Sequence, residues 1–196
     1  VPIVYSSDNW PNCEHRWLSD AELETLTPPD LSENPAFMEL MSQLDAIAAL
    51  EGRIEGYINW QSILNNAQRL RGQQLFLDMF DRPDSVRHLF ECVCTTMIDA
   101  ARRVYARQAA SGVSVGFFTV SNCLVNLISP AQYRDMVLPF DRRIAAAFHC
   151  IGIHNCAWTA DPYLEHYAQV PHVGYIDMGL HSDLVRARQL FPQARR

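Results

Sequence analysis

The chain has 196 residues, a formal net charge of −6, 48% hydrophobic and 19% charged residues. This composition fits a folded protein with one sizeable core or two small ones, and the negative balance argues against a nucleic-acid surface, which needs clustered cations. All sixteen basic residues are arginine, which excludes Schiff-base catalysis, a lysine base and the phosphate-loop lysine.

No apolar run is long enough to span a bilayer, and VPIVYSSDNW lacks the basic start and apolar stretch of a signal peptide. A cytoplasmic setting without membrane contact is the expectation. The six cysteines stand at irregular spacings in a core-rich chain, which reads as thiols in a reducing compartment rather than a disulfide framework.

In chain order, Ile3-Val4-Tyr5 reads as a short strand, followed by the polar stretch SSDNWPNCEHRW. PPDLSENP reads as a loop, Ala36 to Leu50 as a helix, and Arg53 to Asn59 as a strand. Asp84 to Ala110 is a long amphipathic helix, because Val86, Leu89, Phe90, Val93, Met97, Ala101 and Val104 recur at three- and four-residue steps. Val113 to Val120 is the next strand. Ser129 then caps a helix with Pro130 in the first turn and Gln132 three residues on.

Pro139 is expected to break that helix and start another, with Gly152 as its end and Ile153 to Cys156 as a short strand. Asp161-Pro162 opens a further helix, Val173 to Met178 is a strand, Ser182 caps the last helix, and Pro192 stops it. Strands alternating with helices imply parallel pairing with crossovers, either in an open α/β sheet or in part of a (β/α)8 barrel, whose complete form has eight strands and about 250 residues.

The chemistry concentrates at strand ends. His154 and Cys156 are two residues apart, so they project to one face if extended, at the C-terminal end where α/β proteins place their sites. The pair is either two metal ligands or a buried cysteine beside a hydrogen-bonded histidine. Imidazole and thiolate favour zinc.

Asn122-Cys123 also follows a strand, and Cys123 is the candidate third ligand of an open, catalytic type of site; Cys13-Glu14-His15 repeats the spacing in reverse. Asp177 ends an apolar strand, as a partner for a ligand histidine or as a substrate contact. Asn59 and Trp60 hold a similar place, with Asn59 a candidate for substrate polar groups. Cys92 and Cys94 diverge on their helix and read as packing, as does Cys150. His88, His149 and His166 read as solvated or capping, and the pairs Arg102-Arg103 and Arg142-Arg143 as solvated. Asp183 reads as a favourable charge at a helix start.

Three longer stretches carry a resemblance. GYINWQSILNNAQRLRGQQLFLDMFDRPDSVRHLF, VGFFTVSNCLVNLISPAQYRDMVLPFDRRIA and IHNCAWTADPYLEHYAQVPHVGYIDMG are similar to segments of the uroporphyrinogen decarboxylase superfamily, over roughly residues 50–190. The SPAQYRDMVLP element is the most specific. The resemblance implies an α/β chain forming a parallel (β/α)8 TIM-type barrel, a single domain over residues 1–196 that is incomplete at its C-terminal end.

It is nearer to the zinc-dependent corrinoid-protein:thiol methyltransferase branch than to the decarboxylases, whose arginine-rich N-terminal motif is absent. In that branch His154 and Cys156 match two zinc ligands; the third, a later cysteine, has no counterpart, which leaves the implied site incomplete unless Cys123 or Cys13 substitutes or residues are missing from the chain. The implied activity is methyl transfer to a substrate thiol, with a corrinoid protein as partner. The alternatives are a metal-free lyase acting on a tetrapyrrole-like substrate, with Asp8 or Asp177 and Arg16 or Arg53 as its groups, and a non-catalytic truncated barrel. A barrel lacking strands exposes apolar edges, so homo-oligomers are expected.

Overall fold

The computed structural model describes residues 16–194 and, ahead of them, the backbone of two short strands. These strands, β1 (Ile3–Ser6) and β2 (Asn9–Cys13), form an antiparallel hairpin, so the polar stretch after the first strand contains a second one. The side chains of Cys13, Glu14 and His15, and the whole of Asp8, lie outside the described residues.

Four helices follow before the long one: α1 (Asp20–Glu24), α2 (Pro35–Glu51), α3 (Ile63–Arg71) and α4 (Gln74–Asp81). Helix α5 (Pro83–Ala110) buries all seven apolar positions of its predicted stripe. Then come β3 (Phe117–Ser121), a 3₁₀ turn (Cys123–Leu127), and a continuous helical run made of α6 (Pro130–Gln132), a π-helical turn (Tyr133–Val137) and α7 (Leu138–Ala147). Strand β4 (Cys150–Asn155), a 3₁₀ turn (Asp161–Tyr163), α8 (Leu164–Tyr167), β5 (Val173–Met178) and α9 (Leu184–Leu190) complete the order.

Strands β3, β4 and β5 form a parallel sheet in that order. Helix α7 packs on β3 and β4, with α5 behind it. Phe118, Val120, Ile151, Ile153 and Ile176 face these helices at no more than 1% exposure. Each such side chain contributes about 1.5–3 kcal/mol by leaving water. Alternation sends Phe117, Thr119, His154, Tyr175 and Asp177 to the opposite face. The sheet with its outer helices is an arc of a barrel, a partial TIM-type fold.

Four local expectations need correction. Residues 53–59 form no strand, because side chains take their backbone groups. Ser111 Oγ accepts from Ile54 N at 2.9 Å, and Gln108 Nε2 donates to the carbonyls of Ile54 and Gly56 at 3.2 and 2.6 Å. The Thr119 N–H, which a strand here would have used, donates to Tyr57 Oη at 2.7 Å. On the side of β3 away from β4, the described residues form a single parallel bridge, Gln61 to Ser121.

Pro139 does not break its helix. The π turn sends the Leu138 N–H to the Tyr133 carbonyl, five residues back, and the wider turn makes room for a residue with no N–H to donate. Gly152 lies inside β4 and does not end a helix. A Cβ there would sit 2.7 Å from Tyr175 Cδ1 and 2.9 Å from Thr119 Oγ1, so glycine permits a close approach on the open face. The last helix is capped by Asp183, whose Oδ1 accepts from Val185 N and Arg186 N at 3.0 Å each; Ser182 Oγ instead accepts from Ala160 N at 3.0 Å.

Candidate metal centre

The parallel register sets the site. Ser121 pairs with His154, and His154 pairs with Asp177, so the C-terminal ends of all three strands meet at one point. Asn122 extends the β3–β4 ladder by one bond, its N–H donating to the His154 carbonyl at 2.6 Å. Cys123 follows at once on the 3₁₀ turn, and Cys156 stands just past β4. Ligand atoms of Cys123, His154 and Cys156 all lie within 4.8 Å of one another, and the two sulfurs are 3.3 Å apart. For bonds of about 2.0–2.3 Å, a tetrahedral ion needs donors roughly 3.4–3.8 Å apart. The observed separations fall on either side of that range, so two thiols and an imidazole here could close on one zinc ion after small side-chain shifts, leaving a fourth position open.

Asp177 Oδ2 lies 2.5 Å from His154 Nδ1, across the strand pair. With Nδ1 donating to the carboxylate, Nε2 is the nitrogen left to bind a metal. Burial pushes the Cys123 thiol above its ordinary range.

Behind the sheet, a polar network fastens the two segments that carry the ligands. Asn155 lies between His154 and Cys156 and faces the helices, fully buried. Its Nδ2 donates to Tyr167 Oη at 2.9 Å, and its Oδ1 accepts from Asn126 Nδ2 at 2.7 Å. The same Asn126 amide donates to the Cys123 carbonyl at 3.3 Å. Asn122 Nδ2 and Tyr133 Oη both donate to Asp141 Oδ2, at 2.8 and 2.7 Å. Burial raises the Asp141 carboxyl to about 6 against these two bonds.

Sequence reasoning missed Asn126, Asn155, Asp141, Tyr133 and Tyr167 as supports. One signal was present: in GIHNC, Asn155 puts an amide on the side of the strand that otherwise carries Ile151 and Ile153.

Below the ligand set, the open face forms a trough of about 670 Å³. Tyr57, Phe117 and Tyr175 supply its aromatic walls, with Tyr57 and Phe117 stacked at 4.5 Å between ring centroids. Asn59 lines it too, exposed and accepting from Ser121 Oγ at 3.3 Å.

Residues 1–192 match the family described as Uroporphyrinogen decarboxylase (URO-D). The chain belongs to the uroporphyrinogen decarboxylase family. Of fifteen solved chains with a similar structure, one is a methyltransferase from Methanosarcina mazei, at a TM-score of 0.65 and 14% identity. The likeness covers 89% of this chain and 51% of that one, so this family member spans about half the length of that relative. No curated protein matches the chain.

The other residues singled out in this family member lie away from the ligand set or support it from a distance. Trp60 donates from Nε1 to Tyr105 Oη at 3.1 Å and packs on Phe118. Cys92 and Cys94 are buried, and burial lifts the Cys94 thiol to about 12. His88 Nε2 meets the Leu26 carbonyl at 2.8 Å, and His166 stands against the Tyr133 ring. Arg142 donates to the Gln169 carbonyl at 3.0 Å and Arg143 to Glu91 at 2.5 Å, so both make defined contacts. Arg16 pairs with Glu22 and Arg53 with Glu55 at the surface, and neither lines the trough. Among the described residues, no helix is long and apolar enough to cross a membrane.

Proposed function

We propose that this chain carries the metal-binding part of a zinc-dependent methyltransferase that activates a substrate thiol, the methyl group coming from a methylated corrinoid on a partner protein. The carrying observation is the convergence of Cys123, His154 and Cys156 within 4.8 Å at the ends of adjacent parallel strands. The methyltransferase from Methanosarcina mazei, similar in fold, agrees with methyl transfer as the reaction class. The corrinoid partner rests on the resemblance of the His154–Cys156 segment to the zinc-dependent branch. The five described cysteines are all free, which suits a reducing cytoplasm.

In this reading Cys123 and Cys156 bind the ion as thiolates and His154 through Nε2. Zinc held there supplies a Lewis acid that favours the thiolate form of a thiol near neutral pH. Asp177 keeps the His154 proton on Nδ1 and aims the ring. The Asn126 amide keeps the Cys123 turn against β4. Cys156 is exposed, so the substrate side of the site is open to solvent.

Zinc content of the purified chain, read by mass spectrometry, tests the proposal. One equivalent per chain is expected, lost in each of Cys123→Ser, His154→Ala and Cys156→Ser. Metal-free protein that cannot be loaded, or variants that retain zinc, would sink it.

A further inference from the structure

The trough beneath the ligand set is built for an uncharged body. Its described lining has Tyr57, Phe117 and Tyr175 as walls, the Thr119 hydroxyl, Asn59 amide and Cys150 thiol as polar points, His154 at the ligand end, and no arginine. Gly152 lets the Tyr175 ring and the Thr119 hydroxyl close in over the floor, where a Cβ would clash with both. A volume of about 670 Å³ is in the range of a small-molecule pocket.

Charge decides which molecule fits. A divalent ion with two thiolates and a neutral imidazole has no net charge, so a substrate thiolate leaves the centre with one negative charge. The Asp177 carboxylate is already 2.5 Å from His154. An anionic substituent in the trough would add a further negative charge, with no arginine among the described lining residues to meet it.

We infer that the substrate is a neutral thiol with an aromatic body, its sulfur at the Cys123–His154–Cys156 end and its ring between the Tyr57–Phe117 stack and Tyr175. This rests on the thiol-activating reading. It assigns the trough to a small ligand and away from further strands of the barrel.

A matched pair tests it: benzyl mercaptan against 4-(mercaptomethyl)benzoate, titrated calorimetrically into the zinc-loaded chain. A separate arm uses benzyl methyl sulfide, which has no thiolate to offer a metal, with the metal-free chain and ligand-observed NMR. The neutral thiol is expected to bind at least tenfold more tightly than the carboxylate, and the sulfide to bind without metal. Phe117→Ala, at an exposed wall position, is expected to weaken the neutral ligand at least fivefold with zinc content unchanged.

Equal or tighter binding of the carboxylate, binding of neither thiol, or an unaffected Phe117→Ala variant would overturn the assignment. A chain that takes no zinc yet binds the sulfide, and loses it on Phe117→Ala, would sink the metal reading and keep the trough. A chain that takes zinc without preferring the neutral thiol would do the reverse.

Discussion

The two faces of the β3–β4–β5 sheet are made from the same strands by alternate residues, and they do opposite work. The helix side carries Ile151, Ile153 and Ile176 at 0–1% exposure. The trough side carries His154 and Asp177, with side chains 27% and 42% exposed. The first face supplies stability and the second carries the proposed metal site, so neighbouring residues such as Ile153 and His154 should fail in different ways.

The largest expected effect is on the packed face. Ile153→Ala should cost about 2–5 kcal/mol in denaturant unfolding, whereas His154→Ala should cost well under that and abolish metal binding. Asp141 comes next, as the buried charge on the packed side. Its folded carboxyl titrates near 6, above the ordinary carboxylate range. The fold therefore carries no penalty from it at low pH; the penalty grows as pH rises from about 4 to 6 and is full above, on the order of 3 kcal/mol. Asp141→Asn should remove that downward slope in stability between pH 4 and 6, measured by urea unfolding at a series of pH values.

Asp177→Asn, on the open face, should weaken zinc about 10–100-fold against a competing chelator and leave the unfolding midpoint nearly unchanged. Asn126→Ala, which joins the faces, has the smallest effect. We expect a loss of about 1 kcal/mol, and slower diamide-driven cross-linking of Cys123 to Cys156 in metal-free protein. Equal stability losses from Ile153→Ala and His154→Ala would break the contrast between the faces.

Where local chemistry decides structure, the sequence was readable. The Ser129 box, the α5 stripe and the bounds of β5 follow from capping and periodicity, and the Ser129 box is complete in the fold. The pairing of His154 with Cys156 was legible because a strand has period two. Residues 53–59 misled because their alternation is strand-like, while Gln108 and Ser111, more than fifty residues away, satisfy their backbone. Pro139 misled because the π turn that accommodates it has no simple sequence mark. The roles of Asn126 and Asp141 depend on partners in other elements, which no local pattern specifies.

The Cys123–Cys156 contact has a topological consequence. The two residues are 33 positions apart and are separated by the whole α6–α7 crossover. Anything that bridges them, ion or disulfide, turns the segment running through the crossover and β4 into a closed ring. A ring of this size restricts the unfolded chain by roughly 3–4 kcal/mol. Since one pair of sulfurs cannot serve both kinds of clasp, gaining the covalent one means giving up the metal, and the same crossover would be held shut in either state.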